Sequence, residues 1–234
     1  MSGARRAELE RNLAAVRSRI ADACSRAGRS ADDVTLTVVT KFFPASDVRL
    51  LAELGVRHVG ENRHQEAQAK TAECAELGLV WHFIGGLQSN KTTAVATYAD
   101  VVESVDRPKV LRGLARGAHE ADHVLDCLVQ VSLDRRDASG RAGAPPDTVP
   151  ELAELVATTD GLRLRGVMAV APLGSDPRPA FEELRRIADR VRTVDPGATW
   201  ISAGMSGDLE QAVESGATHV RIGSAVLGSR PPNR

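Results

Sequence analysis

Only four of the 30 basic residues in this chain are lysines, at positions 41, 70, 91 and 109; the others are arginines. Where charge alone is wanted arginine serves, so a retained lysine suits work that arginine cannot do, such as condensing with a carbonyl through a neutral amine. Lys41 closes the β-forming run Val34–Thr40 in "DDVTLTVVTKFFPASDV". It reads either as a reactive amine at a strand end or as a solvated strand cap. Two later stretches, "SAGMSGD" and "RIGSAVLG", set glycine and serine between a β-forming run and a helical one. Backbone N–H groups and hydroxyls that converge at a helix start suit an anion, which makes Ser206 and Ser224 candidate phosphate ligands, together with the amides near Gly207 and Gly223. The competing reading is that Ser206 caps the helix beginning near Asp208.

The elements that must position these residues alternate along the chain. Strand candidates are Val34–Thr40, Val56–Gly60, Val80–Gly85, Val101–Val105, Val124–Leu133, Leu162–Val170, Thr199–Ala203 and His219–Gly223. Helical patterns such as "SDVRLLAEL", "RPKVLRGLARGAHE" and "PRPAFEELRRIADRVRTV" fill the gaps between them. Eight strands alternating with helices without a linker predict one α/β domain over 1–234, a (β/α)8 TIM barrel spanning 34–228. Leu9, Leu13, Val16, Ile20 and Cys24 share one face, so an extra amphipathic helix is expected over 5–27. Only "AVLGSRPPNR" follows the eighth strand; its helix must be short, and the N-terminal helix would cover the barrel end or wall left bare. The longest loop, 134–147, reads as a lid or as a surface excursion.

Barrels place their chemistry at the strands' carboxyl ends and bind phosphate after strands seven and eight. Arg221 lies two residues before Gly223, on the same side of the pleat, and an arginine inside a barrel needs a partner. A structural salt bridge would satisfy it. Taken with Lys41 and the phosphate loops, it points to a phosphorylated aromatic aldehyde, pyridoxal 5'-phosphate.

Composition removes other classes. A formal net charge of -1 gives no footprint for nucleic acid or an anionic membrane, and 3% aromatic residues give no stacking surface. Cys24, Cys74 and Cys127 have no metal spacing and read as buried thiols. The first twenty residues carry charges throughout, unlike a signal peptide, and no apolar run approaches membrane-spanning length. A cytoplasmic, monomeric protein without a metal is expected.

The motifs "VVTKFFP", "GENRHQEAQAK", "WHFIGGLQSNK", "LRLRGVMAV" and "SAGMSGDLEQAVESGATHVRIGSAVLGSR", in this order, strongly resemble the YggS/PROSC family of pyridoxal phosphate homeostasis proteins. That family resembles the barrel domain of alanine racemase without its second domain. The resemblance implies that Lys41 holds the cofactor as a Schiff base and that Arg221 faces the pyridine nitrogen. It further implies that Ser206, Gly223 and Ser224 hold the phosphate, with Asn62 and Met205 lining the pocket. Two departures stand out: Gly86 where the family more often has a larger residue, and Arg141 where a lysine is expected. Glu61, His82, Gln88, Asn90 and Lys91 belong to the motifs, and Lys91 is either solvated or a secondary acceptor for the aldehyde.

The expected function is to carry and buffer pyridoxal phosphate, with no catalytic residue assigned and with apo-enzymes that use the cofactor as recipients. The alternative is an amino-acid racemase or related enzyme, which needs an acid–base group on each face of the bound substrate. Lys41 supplies one; the alanine racemase tyrosine comes from the domain missing here, and the single tyrosine, Tyr98, is expected on a helix away from the strand ends. A Schiff-base aldolase acting on a sugar phosphate would share the lysine and the loops but leaves Arg221 without a role.

Overall fold

The computed structural model describes residues 2–133 and 142–229. Eight parallel strands close into a barrel in sequence order: β1 (Thr35–Val39), β2 (His58–Glu61), β3 (Val80–Phe83), β4 (Val101–Val105), β5 (Leu125–Gln130), β6 (Leu162–Met168), β7 (Trp200–Ser202) and β8 (His219–Ile222). Closure is made by β1 against β8, with Thr37 opposite Arg221. The helices are α1 (Ser2–Arg26), α2 (Ala45–Glu53), α3 (His64–Glu73), α4 (Thr92–Ala96), α5 (Leu111–Glu120), α6 (Val149–Thr158), α7 (Arg178–Val194), α8 (Leu209–Glu214) and α9 (Ser224–Leu227). Among the described residues no helix is long and apolar enough to cross a membrane.

The expected barrel and its eight strands are present, with shorter ends. Val124 is 54% exposed and falls outside β5, while β2 runs on to Glu61, which is buried. The long helical pattern after β2 breaks at Cys74 into α3 and a separate 3-10 turn, Ala75–Leu77, ended by Gly78 at φ +58°. Such a conformation suits glycine because it has no Cβ to clash.

The N-terminal helix covers the barrel wall. Its apolar stripe, Leu9, Leu13, Val16, Ile20 and Cys24, is buried in one core cluster with Val38 of β1, Leu209 of α8 and Leu227 of α9. Since α9 is a single turn, α1 takes the place of a full final helix. Polar ties fix its position: Asn12 Nδ2 donates to Val226 O at 2.9 Å, Arg5 pairs with Asp47 at 2.7 Å and Arg19 with Glu210 at 2.6 Å. A second core cluster fills the opposite side between β4–β7 and α5–α7, where Leu114, Leu184 and Ile187 are fully buried. All three cysteines are buried and free.

Of the long loop after β5, residues 134–141, including Arg141, lie outside the described residues. Its described end is tied back to β5 by a bridge between Val131 and Ala144 and by Gln130 Nε2 donating to Ala142 O at 2.9 Å.

The barrel interior departs from the aliphatic layers usual for this architecture. Thr37, Glu61, His82, Glu103, Ser202, His219 and Arg221 are all buried polar groups on the strands. A buried charge is costly unless paired and hydrogen-bonded, and within this set His82, Glu103, Ser202 and Arg221 bond one another.

Candidate functional site

At the carboxyl ends of the strands lies a cavity of about 600 Å³. Lys41, Asn62, Met205, Ser206, Arg221, Gly223 and Ser224 all line it, so one cavity gathers the seven residues that the resemblance assigns to the cofactor. Gly85 and Gly86 line it as well, whereas Gln88 and Lys91 line a neighbouring cavity. Glu61 and His82 are buried in the barrel, and Asn90 is exposed and lines neither cavity. Tyr98 falls just past α4, lines neither of these cavities, and stacks on His64 with ring centroids 5.8 Å apart.

Lys41 stands on a turn that is held from beneath. Phe42 has φ +72°, a left-handed conformation that costs a residue with a Cβ about 1–2 kcal/mol. The surrounding bonds offset this: Phe42 N donates to Glu66 Oε1 at 2.6 Å, and Phe43 N donates to Thr40 O at 3.1 Å. Lys70 Nζ, itself buried, donates to Thr40 O, Glu61 Oε1 and Glu66 Oε1, each at 2.7 Å. Thr40 Oγ1 also donates to Glu61 Oε1, at 2.6 Å. Burial pushes the Glu61 carboxyl above its ordinary range, and the Lys70 charge opposes that shift. The backbone on either side of Lys41 is thus bonded to a buried cluster on β2 and α3.

Arg221 reaches the cavity from inside the barrel, where it is 4% exposed. Its Nη2 donates to Ala169 O at 2.8 Å and its Nη1 to Ser202 Oγ at 2.7 Å. Ser202 Oγ donates in turn to Glu103 Oε2 at 2.6 Å, which lies 3.7 Å from Arg221 Nη1. The other Glu103 oxygen accepts from His82 Nδ1 at 2.7 Å, and His82 Nε2 lies 3.0 Å from His58 Nδ1. A bonded chain therefore runs from the cavity through the barrel to His58. Despite complete burial, His82, Arg221 and Ser202 together hold Glu103 down at about 2. Arg221 is both an ion-pair partner and a wall of the cavity, so the two readings of this residue do not exclude each other.

The loops after β7 and β8 meet at the mouth. Ser206 Oγ accepts from Ala225 N at 3.2 Å and from Ser224 Oγ at 3.3 Å. Ser206 therefore does not cap its own helix: Asp208 takes the N-cap position of α8, and its Oδ1 accepts from Met205 N at 2.6 Å. Instead it joins the loop after β7 to the first turn of α9. Arg19 of α1 donates to Ser206 O at 3.0 Å and ties this loop to the outer helix. Close approach requires Gly85, because a Cβ there would lie 2.0 Å from Asn62 O. Asn62 Oδ1 is buried without a hydrogen-bond partner among the described residues.

Glu103, Ser202, Glu66 and Lys70 have structural parts that no motif assigned. Two sequence signals bear on them: a carboxylate inside the valine-rich run "VVESV", which a buried strand tolerates only with a partner, and a second retained lysine, Lys70.

The arrangement supplies an amine, an interior guanidinium, facing hydroxyls and an orphan amide oxygen around one cavity. Comparison with known proteins gives the family and the fold. Residues 11–231 match the family model for the alanine racemase N-terminal domain. The pyridoxal phosphate homeostasis protein of Mycobacterium tuberculosis is 42% identical over 97% of this chain and 94% of its own length. PipY of Synechococcus elongatus, solved with pyridoxal phosphate bound, superposes with a TM-score of 0.81 at 34% identity, covering 94% of this chain and 100% of that one. Alanine racemase of Corynebacterium glutamicum shares the fold at 13% identity and a TM-score of 0.68, with 97% of this chain matched to 62% of the enzyme. On the strength of near full-length identity, this chain belongs to the pyridoxal phosphate homeostasis protein family, built on the alanine racemase barrel.

Proposed function

We propose that this chain binds pyridoxal 5'-phosphate and serves as a cytoplasmic, monomeric carrier and buffer of it, delivering it to apo-enzymes that use it. The observation that carries the reading is the single cavity in which Lys41, Arg221, the Ser206–Ser224 pair and Asn62 come together. When bound, the cofactor supplies an aldehyde for an amine and a phosphate for anion ligands. Lys41 is the amine that holds it as a Schiff base. Ser206, Ser224 and the amides around Gly223 take the phosphate, and Met205 forms part of the wall. Asn62 offers its buried, unpartnered oxygen to a donor. Arg221, a donor with no acceptor site, is assigned to the pyridine nitrogen, which it leaves unprotonated.

Holding rather than turnover is favoured by what lines the cavity. Among its described lining residues Lys41 and Arg221 are the sole ionisable side chains, so a second proton-transfer group for a racemase is wanting. The test is a spectrophotometric titration of the purified protein with pyridoxal phosphate. One equivalent should produce a bound chromophore shifted from the free aldehyde, without loss of stereochemistry in added amino acids. A spectrum identical to free cofactor would overturn the reading.

A further inference from the structure

A second cavity, of about 390 Å³, adjoins the first, and Asn62 and Gly86 line both. Its walls bring together Arg63, His64, Gln88 and Lys91, and no carboxylate is among its described lining residues. In a chain of net charge -1 this is a local concentration of positive charge rather than a general property of the surface. Among the described residues neither Arg63 nor Lys91 is engaged in an ion pair. The Arg63 guanidinium lies over the Phe42 ring, 5.0 Å from its centroid, and so stands beside the turn that carries Lys41. Arg63 occupies the N-cap position of the ten-residue helix α3 without a side-chain capping bond, and the positive end of that helix adds to the field. Burial, with the Lys91 charge behind it, holds His64 below its ordinary range.

The wall between the cavities is unusually bare. A Cβ placed on Gly86 would meet nothing within 4 Å, and its backbone is not in the left-handed region. Asn62, the other shared residue, has a buried side-chain oxygen without a hydrogen-bond partner among the described residues.

We propose that this second cavity is an anion subsite for the phosphate of a phosphorylated pyridine aldehyde on its way to or from Lys41, with Lys91 and Arg63 supplying charge and Gly86 the opening. The inference rests on the proposed function of the main cavity. A cationic recess beside the mouth raises the local concentration of the phosphorylated aldehyde next to Lys41, which speeds its capture there.

The test begins with protein loaded with one equivalent of pyridoxal phosphate, reduced with borohydride so that the main site stays filled, and freed of excess. Equilibrium dialysis should then detect a second, non-covalent equivalent of pyridoxal phosphate that inorganic phosphate displaces and acetate, a carboxylate without an amine, does not. Lys91→Glu should weaken this second binding at least tenfold, and Lys91→Gln less but in the same direction, with Lys41 still labelled in both. Gly86→Leu should slow loading of Lys41 several-fold. No second equivalent, an equivalent indifferent to Lys91→Glu, or displacement by acetate but not by phosphate would overturn the subsite and leave the main site standing. Failure to label Lys41 would instead refute the proposed function. Titration of the unloaded protein with inorganic phosphate, wild type against Lys91→Glu, would then still decide the subsite.

Discussion

Lys70 Nζ donates to the carbonyl oxygen of Thr40 at 2.7 Å, so one buried lysine holds the residue that immediately precedes another, Lys41. The same ammonium bonds Glu61 and Glu66, and Glu66 in turn accepts from the backbone of Phe42. The two lysines thus divide the work: Lys70 shapes the turn, and Lys41 faces the cavity.

Lys70→Met leaves the buried Glu61 carboxylate unpaired, and removing one partner of such a pair costs about 3–5 kcal/mol. Urea unfolding should show that loss, and the Lys41 turn should bind pyridoxal phosphate more weakly. Adding Glu61→Gln to the variant should restore part of the stability. Stability equal to wild type in Lys70→Met would contradict the clamp.

Ser206→Ala and Ser224→Ala should each weaken pyridoxal phosphate binding by about 1–3 kcal/mol, the range for a lost bond to a charged group. Only Ser206→Ala also deprives Ala225 N of its acceptor, so it alone should lower Tm in the absence of cofactor. Calorimetry with and without cofactor separates the two effects. Unchanged affinity in the double variant would place the phosphate elsewhere.

Acid should destabilise the protein from about pH 6.5 downward. Burial, against the opposing charge of Glu103, depresses His58 to about 4 and His219 to about 3, against an ordinary 6.5. The unfolded chain therefore binds protons that the folded chain refuses, and stability falls as pH drops through this window. One fully refused proton contributes about 1.4 kcal/mol per pH unit. Glu103, held at about 2, adds a loss below its ordinary 4.5, while Glu61, pushed up by burial, acts in the opposite sense. Urea unfolding at pH 7 and pH 5 should give lower stability at pH 5, and His219→Gln should flatten the difference. Equal or greater stability at pH 5 would contradict the assignment.

The barrel, the N-terminal helix and the strand-end residues were legible because each follows from local pattern: β-forming runs, a 3.6-residue apolar stripe, glycine and serine at fixed offsets. What joins them was not. The reach from Lys70 to Thr40 crosses from α3 to the end of β1, and the link from Arg221 through Ser202 to Glu103 joins three strands. Such contacts depend on barrel closure and register, which no single stretch encodes. Ser206 shows the same limit of local reading: capping logic looks to its own helix, whereas its hydroxyl serves α9.

Arg221→Glu would set a second carboxylate beside Glu103, and like charges buried together are costly. The single variant should be strongly destabilised, and Glu103→Gln in the same chain should recover folding. Wild-type protein should leave L-alanine unracemised over hours with cofactor bound, as chiral chromatography would register. Robust racemisation would favour the enzyme reading over the carrier.

The most direct measurement is borohydride reduction of the protein loaded with one equivalent of pyridoxal phosphate, followed by peptide mapping. The label should fall on Lys41, and Lys41→Ala should keep its fold while losing the label. A label found on Lys70, Lys91 or Lys109 with Lys41 unmodified would contradict the account.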